Sequence, residues 1–125
     1  MATLDSTRRR LPRARRLRRT SEFAKVRQAG RRVAKGCLVA NWAALPPGAA
    51  PRLGVIASRA VGGAVARNRA RRLLRESFRL HQHQLRAPVA LVLIARPPLP
   101  SRSFAVVEQD LLAALREGQL LHEVA

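Results

Sequence analysis

A chain of 125 residues, 47% of them hydrophobic, suits one domain that buries roughly two-thirds of its unfolded surface, and it is too apolar for wholesale disorder. A net charge of +18 opposes compaction by self-repulsion, so a polyanionic partner is expected. The single cysteine, Cys37, excludes an internal disulfide or a cysteine zinc site. The longest apolar run, Val89 to Ala95, is far shorter than the roughly 18 residues of a membrane span.

The charge is uneven. Twelve Lys or Arg and no Asp or Glu occur from Phe23 to Arg75, whereas Glu108, Asp110, Glu117 and Glu123 crowd the end of the chain. Only Lys25 and Lys35 are lysines. Arginine suits phosphate, which its planar fork grips with two hydrogen bonds. Residues 1–19 hold eight Arg between Arg8 and Arg19 and read as a basic arm that orders on a polyanion. Asp5 and Pro12 argue against an amphipathic targeting helix and no apolar secretory core is present, so the cytoplasm is the expected location.

Along the chain, Thr20 or Ser21 can cap a short helix with Phe23 and Val26 inward and Gly30 at its end. Cys37 to Ala43 reads as a strand, Leu45 to Pro51 as a loop, and Leu53 to Ser58 as a second strand. A long helix opens after Val61-Gly-Gly63 and runs to about His83. Its wheel places Ala66, Ala70, Leu73, Leu74, Ser77 and Leu80 in one arc. Asn68, Arg71, Arg72, Arg75 and Arg79 fall in the opposing arc, flanked by Arg67 and Arg69. Val89 to Ala95, continuously apolar, reads as an internal strand. The last helix starts near Ser103, with Phe104, Val107, Leu111, Leu112 and Leu115 facing the core and Gly118 as C-cap. The order α-β-β-α-β-α predicts an α/β (α+β) two-layer sandwich with helices packed on a small mixed sheet. One domain is expected over residues 20–118, with a tail at 119–125.

The central segment narrows the function. Ala64-Val-Ala-Arg-Asn-Arg-Ala-Arg-Arg-Leu-Leu-Arg-Glu-Ser-Phe78 resembles the signature of the bacterial ribonuclease P protein: an Arg-Asn-Arg triplet followed by further arginines after a glycine turn. Leu53-Gly-Val-Ile-Ala-Ser-Arg59, Ser21 to Gly30 and Val92 to Pro97 are similar to other parts of that family, so the resemblance spans roughly residues 17–118. It implies a left-handed β-α-β crossover, an exception to the right-handed rule. It further implies that Arg59, Arg67, Asn68, Arg69, Arg71, Arg72, Arg75 and Arg79 bind a catalytic RNA subunit. A cleft between the first helix and the sheet, with Phe23, Lys25, Arg27 and Asn41, would hold the 5′ leader of precursor tRNA. The family tends to line this cleft with aromatics. Here Arg27 and Asn41 stand where aromatics are expected, and the chain has no Tyr.

The expected role is that of accessory subunit in Mg²⁺-dependent endonucleolytic removal of the leader. The resemblance implies that the RNA carries the chemistry and holds most of the Mg²⁺, with no catalytic residue in this chain and no protein partner required. The residues agree. The basic half lacks the converging carboxylates that a two-metal nuclease needs. His81 and His83 face different ways, and Cys37 has no neighbouring base in sequence. The open alternative is a structural ribosomal protein that binds rRNA.

Overall fold

The computed structural model describes Arg16 and residues 20–122; most of the arginine-rich arm and residues 123–125 lie outside the described residues. Helix α1 (Thr20–Ala29) is followed by strands β1 (Arg31–Lys35), β2 (Leu38–Ala44) and β3 (Arg52–Ile56). Helix α2 (Ala64–His81), strand β4 (Val89–Ala95) and helix α3 (Phe104–Glu117) complete the chain order. The strands form one mixed sheet in the order β1-β2-β4-β3. Antiparallel pairs join β1 to β2 and β2 to β4, and β3 runs parallel to β4 with α2 as the connection.

The pleat divides the sheet into two faces. Leu38, Ala40 and Trp42 of β2, Leu91 and Leu93 of β4 and Leu53 of β3 join Ala70, Leu74 and Phe78 of α2 and Val107, Leu111 and Leu115 of α3 in the main core. This is the sheet-and-helix sandwich expected from the element order. The opposite face is only partly covered. There α1 sets Val26 on Ala90 and Val92, with Phe23, Ala43, Ile56 and Ile94 half-buried around them. Strand β4 is thus covered on both sides, which is why its sequence is apolar without alternation.

Strand β1 is an addition to the expected order. Its Arg31-Arg-Val-Ala-Lys35 sequence offers only Val33 to the core, so no alternating apolar signal marks it. It is an edge strand, and charge along an edge discourages pairing with other chains. A two-residue turn, with Gly36 at φ 52°, carries β1 into β2. At the end of α1, Gly30 is required by close approach: a Cβ there would strike the carbonyl oxygens of Val26 and Trp42.

The helix ends follow the sequence closely. Ser103 caps α3, its hydroxyl accepting from the Val106 N–H at 3.3 Å, and Gly118 closes it. Two differences stand out in the core. Leu80, expected inward, is exposed, and Phe78 fills the interior instead. The body also extends past residue 118. Leu120 is buried in the main core, and Leu121 bridges to Leu85.

Candidate nucleic-acid interface

Helix α2 starts from Gly63, whose extended backbone supplies no side-chain cap, and it has no acidic residue in its first turn. Burial of Ala70, Leu73, Leu74, Ser77 and Phe78 against the sheet and α3 fixes its rotation. Asn68 and Arg72 are therefore exposed, and Arg67, Arg71, Arg75 and Arg79 are half-buried at their stems. Asn68 Oδ1 accepts from the Arg71 guanidinium at 2.8 Å, which holds both heads in one plane of approach. Arg59, in the short turn before α2, is exposed.

The row is not uniform. Arg69 turns back to the protein: its Nε donates to the Pro100 carbonyl at 2.8 Å and a terminal nitrogen donates to the Arg102 carbonyl at 3.4 Å. Its flank position on the wheel faces the turn after β4, where these bonds tie α2 to the protein's own backbone. Arg79 forms a fork with Glu76 one turn earlier, at 2.7 and 3.2 Å. That bond, the largest cause, raises its pKa. Arg75 is crowded: burial first, and then the charges of Arg16 and Arg71, lower its pKa. Arg67 Nε is buried with no hydrogen-bond partner among the described residues. Arg16, Arg71 and Arg75 thus bring like charges close together, the electrostatic condition that a polyanion relieves.

Two basic residues join this surface that the sequence did not single out. Arg16 forms a parallel bridge with Leu53 at the β3 edge, and Arg52 donates to the Arg16 carbonyl at 3.0 Å. The arm therefore touches the domain beside the arginine row. Nothing in the local pattern of residues 1–19 signals this, because a single bridge leaves no periodicity.

On the other sheet face, Phe23 is half-buried in the small apolar cluster beneath α1, and Lys25 and Arg27 are exposed. Asn41 is only 3% exposed, and its amide donates to the Arg31 carbonyl at 2.8 Å. The amide of Asn41, expected at the leader, is bonded in the structure to the β1 backbone. Exposed Arg32 stands opposite Asn41 in the register and shares its sheet face, adding a cation to Lys25 and Arg27. It was not visible in advance because β1 itself was not.

The remaining polar groups hold the frame. Cys37 is buried, and burial followed by the adjoining Asp110 pushes its thiol up to about 12. His81 bonds Glu108 at 2.7 Å and Gln84 at 2.9 Å. Among the described residues, no three His, Cys, Asp or Glu converge in a way that could hold a metal ion, and no helix is long and apolar enough to cross a membrane.

The family model described as Ribonuclease P matches residues 11–118. A ribonuclease P protein component from Chloroflexus aurantiacus is 41% identical over 114 residues, covering 87% of this chain and 81% of that protein. One from Beutenbergia cavernae is 40% identical over 106 residues, covering 84% and 88%. The Thermotoga maritima RNase P protein superposes with a TM-score of 0.71 at 27% identity, covering 82% of this chain and 96% of that one. The Staphylococcus aureus protein, at 24% identity and a TM-score of 0.77, shares the fold over 88% of this chain and all of its own. The chain belongs to the ribonuclease P protein family.

Proposed function

We propose that this chain clamps RNA for ribonuclease P with two surfaces and leaves the bond cleavage to the RNA. The α2 row, led by Asn68, Arg71 and Arg72 with Arg67, Arg75 and Arg59 beside it, binds the RNA subunit. The partly covered sheet face beside α1, with Phe23, Lys25, Arg27 and Arg32, holds the single-stranded 5′ leader of precursor tRNA. Arginine contacts take over much of what stacking does on an aromatic cleft, since Phe23 is the one aromatic under α1.

The observation that carries this reading is the arginine face of α2. Its inward side chains fix the spacing of the outward ones, so several guanidiniums meet successive phosphates with little ordering cost. A rigid row of this kind positions RNA; it does not hydrolyse it. Mg²⁺ belongs mainly to the RNA subunit in this reading, and the protein raises its local affinity by arranging phosphates. Endonucleolytic release of the leader is then chemistry of the RNA.

The test uses precursor tRNA with Mg²⁺. Protein alone leaves it uncleaved, and protein added to ribonuclease P RNA lowers the substrate concentration needed for leader removal. Cleavage by protein alone would overturn the reading. With six to ten phosphates engaged, affinity for the RNA subunit should fall roughly 10³- to 10⁵-fold between about 50 and 200 mM salt.

A further inference from the structure

One side chain on α2 is explained neither by the core nor by phosphate binding. Val65 is 84% exposed in the first turn. A β-branched residue is a poorer helix former than the alanines on either side of it. At 100° per residue, Val65 lies about 20° from Arg72 and about 60° from Asn68 around the helix. It therefore heads the cationic stripe with an uncharged, apolar group.

Beside it the surface is concave. Val65, Ala66 and Arg69 form one wall, and Pro100 and Ser101, from the turn after β4, form the other. Gly63 and Ala64 keep the entrance low. Arg69 does not swing freely there, because the Pro100 and Arg102 carbonyls hold its guanidinium. The result is a fixed planar cation next to valine methyls and a proline ring. The Ser101 hydroxyl donates to the Pro98 carbonyl at 2.8 Å and so offers only lone pairs to a visitor.

We propose that this concavity receives one unstacked nucleobase of the RNA subunit. The inference rests on the reading that α2 binds that RNA, and it adds what lies between the phosphates. Phosphate gains nothing from valine methyls. A base has a flat apolar face that stacks on a guanidinium plane and on aliphatic carbon, and a polar edge that can donate to the serine oxygen. Charge selects the same occupant: Arg69 lines the site, Arg102 follows Ser101 and holds Arg69 through its carbonyl, and the sequence from Phe23 to Arg75 holds no carboxylate. An acidic backbone brings the base to an apolar seat that the arginines bracket.

The experiment measures binding of the RNA subunit by full-length wild type, Val65→Ala and Arg72→Ala across a salt series, with base-specific chemical probing of the RNA. Val65→Ala should weaken binding by up to roughly fifteenfold at every salt concentration, the loss of about two buried carbons, with an unchanged slope of log affinity on log salt. An unpaired base protected by wild type should become reactive with Val65→Ala. Arg72→Ala should instead flatten the slope by about one phosphate. Because Val65 is exposed and alanine is the better helix former, its truncation does not lower the melting temperature, which separates binding from folding. Unchanged affinity, a changed slope or an unchanged probing pattern for Val65→Ala overturns the base site while leaving the clamp intact. Sedimentation of the free protein showing self-association lost in Val65→Ala also overturns it, by assigning the seat to a second copy. Failure of the wild type to bind the RNA subunit overturns the clamp itself, and the base site with it.

Discussion

The backbone N–H of Cys37 donates to the Asp110 carboxylate at 2.9 Å, linking the turn before β2 to the middle of α3 across 73 residues of sequence. The same carboxylate fills the space beside Gly36, where a Cβ would collide with it. One acidic side chain thus sets the β1–β2 turn, and through it the edge strand that carries Arg31, Arg32 and Lys35. Asp110→Ala should cost about 1–3 kcal/mol by leaving a part-buried donor unpaired. Gly36→Ala should cost about 1–2 kcal/mol from its left-handed backbone, and more from the collision. Denaturant midpoints of the two variants check both.

The Cys37 thiol gives a pH dependence. Its pKa rises from 9.0 to about 12 on folding, through burial and then through Asp110. A raised folded-state pKa means that the thiol contributes stability in full below pH 9.0, and that this contribution fades as pH climbs toward 12. Alkaline unfolding of Cys37→Ala should therefore show a smaller decline over that window than wild type. Thiol reagents should label the native protein at pH 8 far more slowly than the denatured chain, as followed by absorbance.

Arg69 and Arg72 lie three residues apart on one helix and should behave differently. Arg69→Ala removes two bonds to backbone carbonyls and should lower stability by about 1 kcal/mol. Arg72, exposed, should change stability by no more than about 0.5 kcal/mol when replaced by alanine. Thermal melts of the free proteins separate the two. Equal losses would show that the Arg69 tie contributes nothing.

His81 joins α2 to α3. The Gln84 amide donates to Nδ1, so Nε2 carries the hydrogen that Glu108 accepts. His81→Ala and Glu108→Ala should each cost about 1 kcal/mol, and the double variant should cost less than their sum. A double-mutant cycle measured by denaturant melts tests this, and strict additivity would mean the pair is not coupled.

Gly118 closes α3 directly against the Trp42 ring, where an added Cβ would collide with the indole. Trp42 is the only tryptophan and is 4% exposed. Gly118→Ala should therefore displace the ring, shift its emission to longer wavelength and reduce stability, by about 1–3 kcal/mol, as overpacking does. Emission identical to wild type would mean that the helix end yields instead.

The sequence by itself determined what depends on composition and on local period. The charge excess led to the expectation of a polyanion, the 3.6-residue wheel separated Ala70, Leu73 and Leu74 from Asn68 and Arg72, and Ser103 and Gly118 marked both ends of α3. The signature in α2 carried the family. Tertiary structure decided what depends on neighbours far apart in sequence. It made Arg31–Lys35 a strand through pairing with β2, because an edge strand with one inward valine has no pattern of its own. It bound Arg69 to Pro100, buried Asn41 under the β1 backbone and brought Arg16 to β3. A helical wheel gives the direction of a side chain but not what waits there, so the number of arginines was legible from the start and which of them bond the protein's own backbone was not.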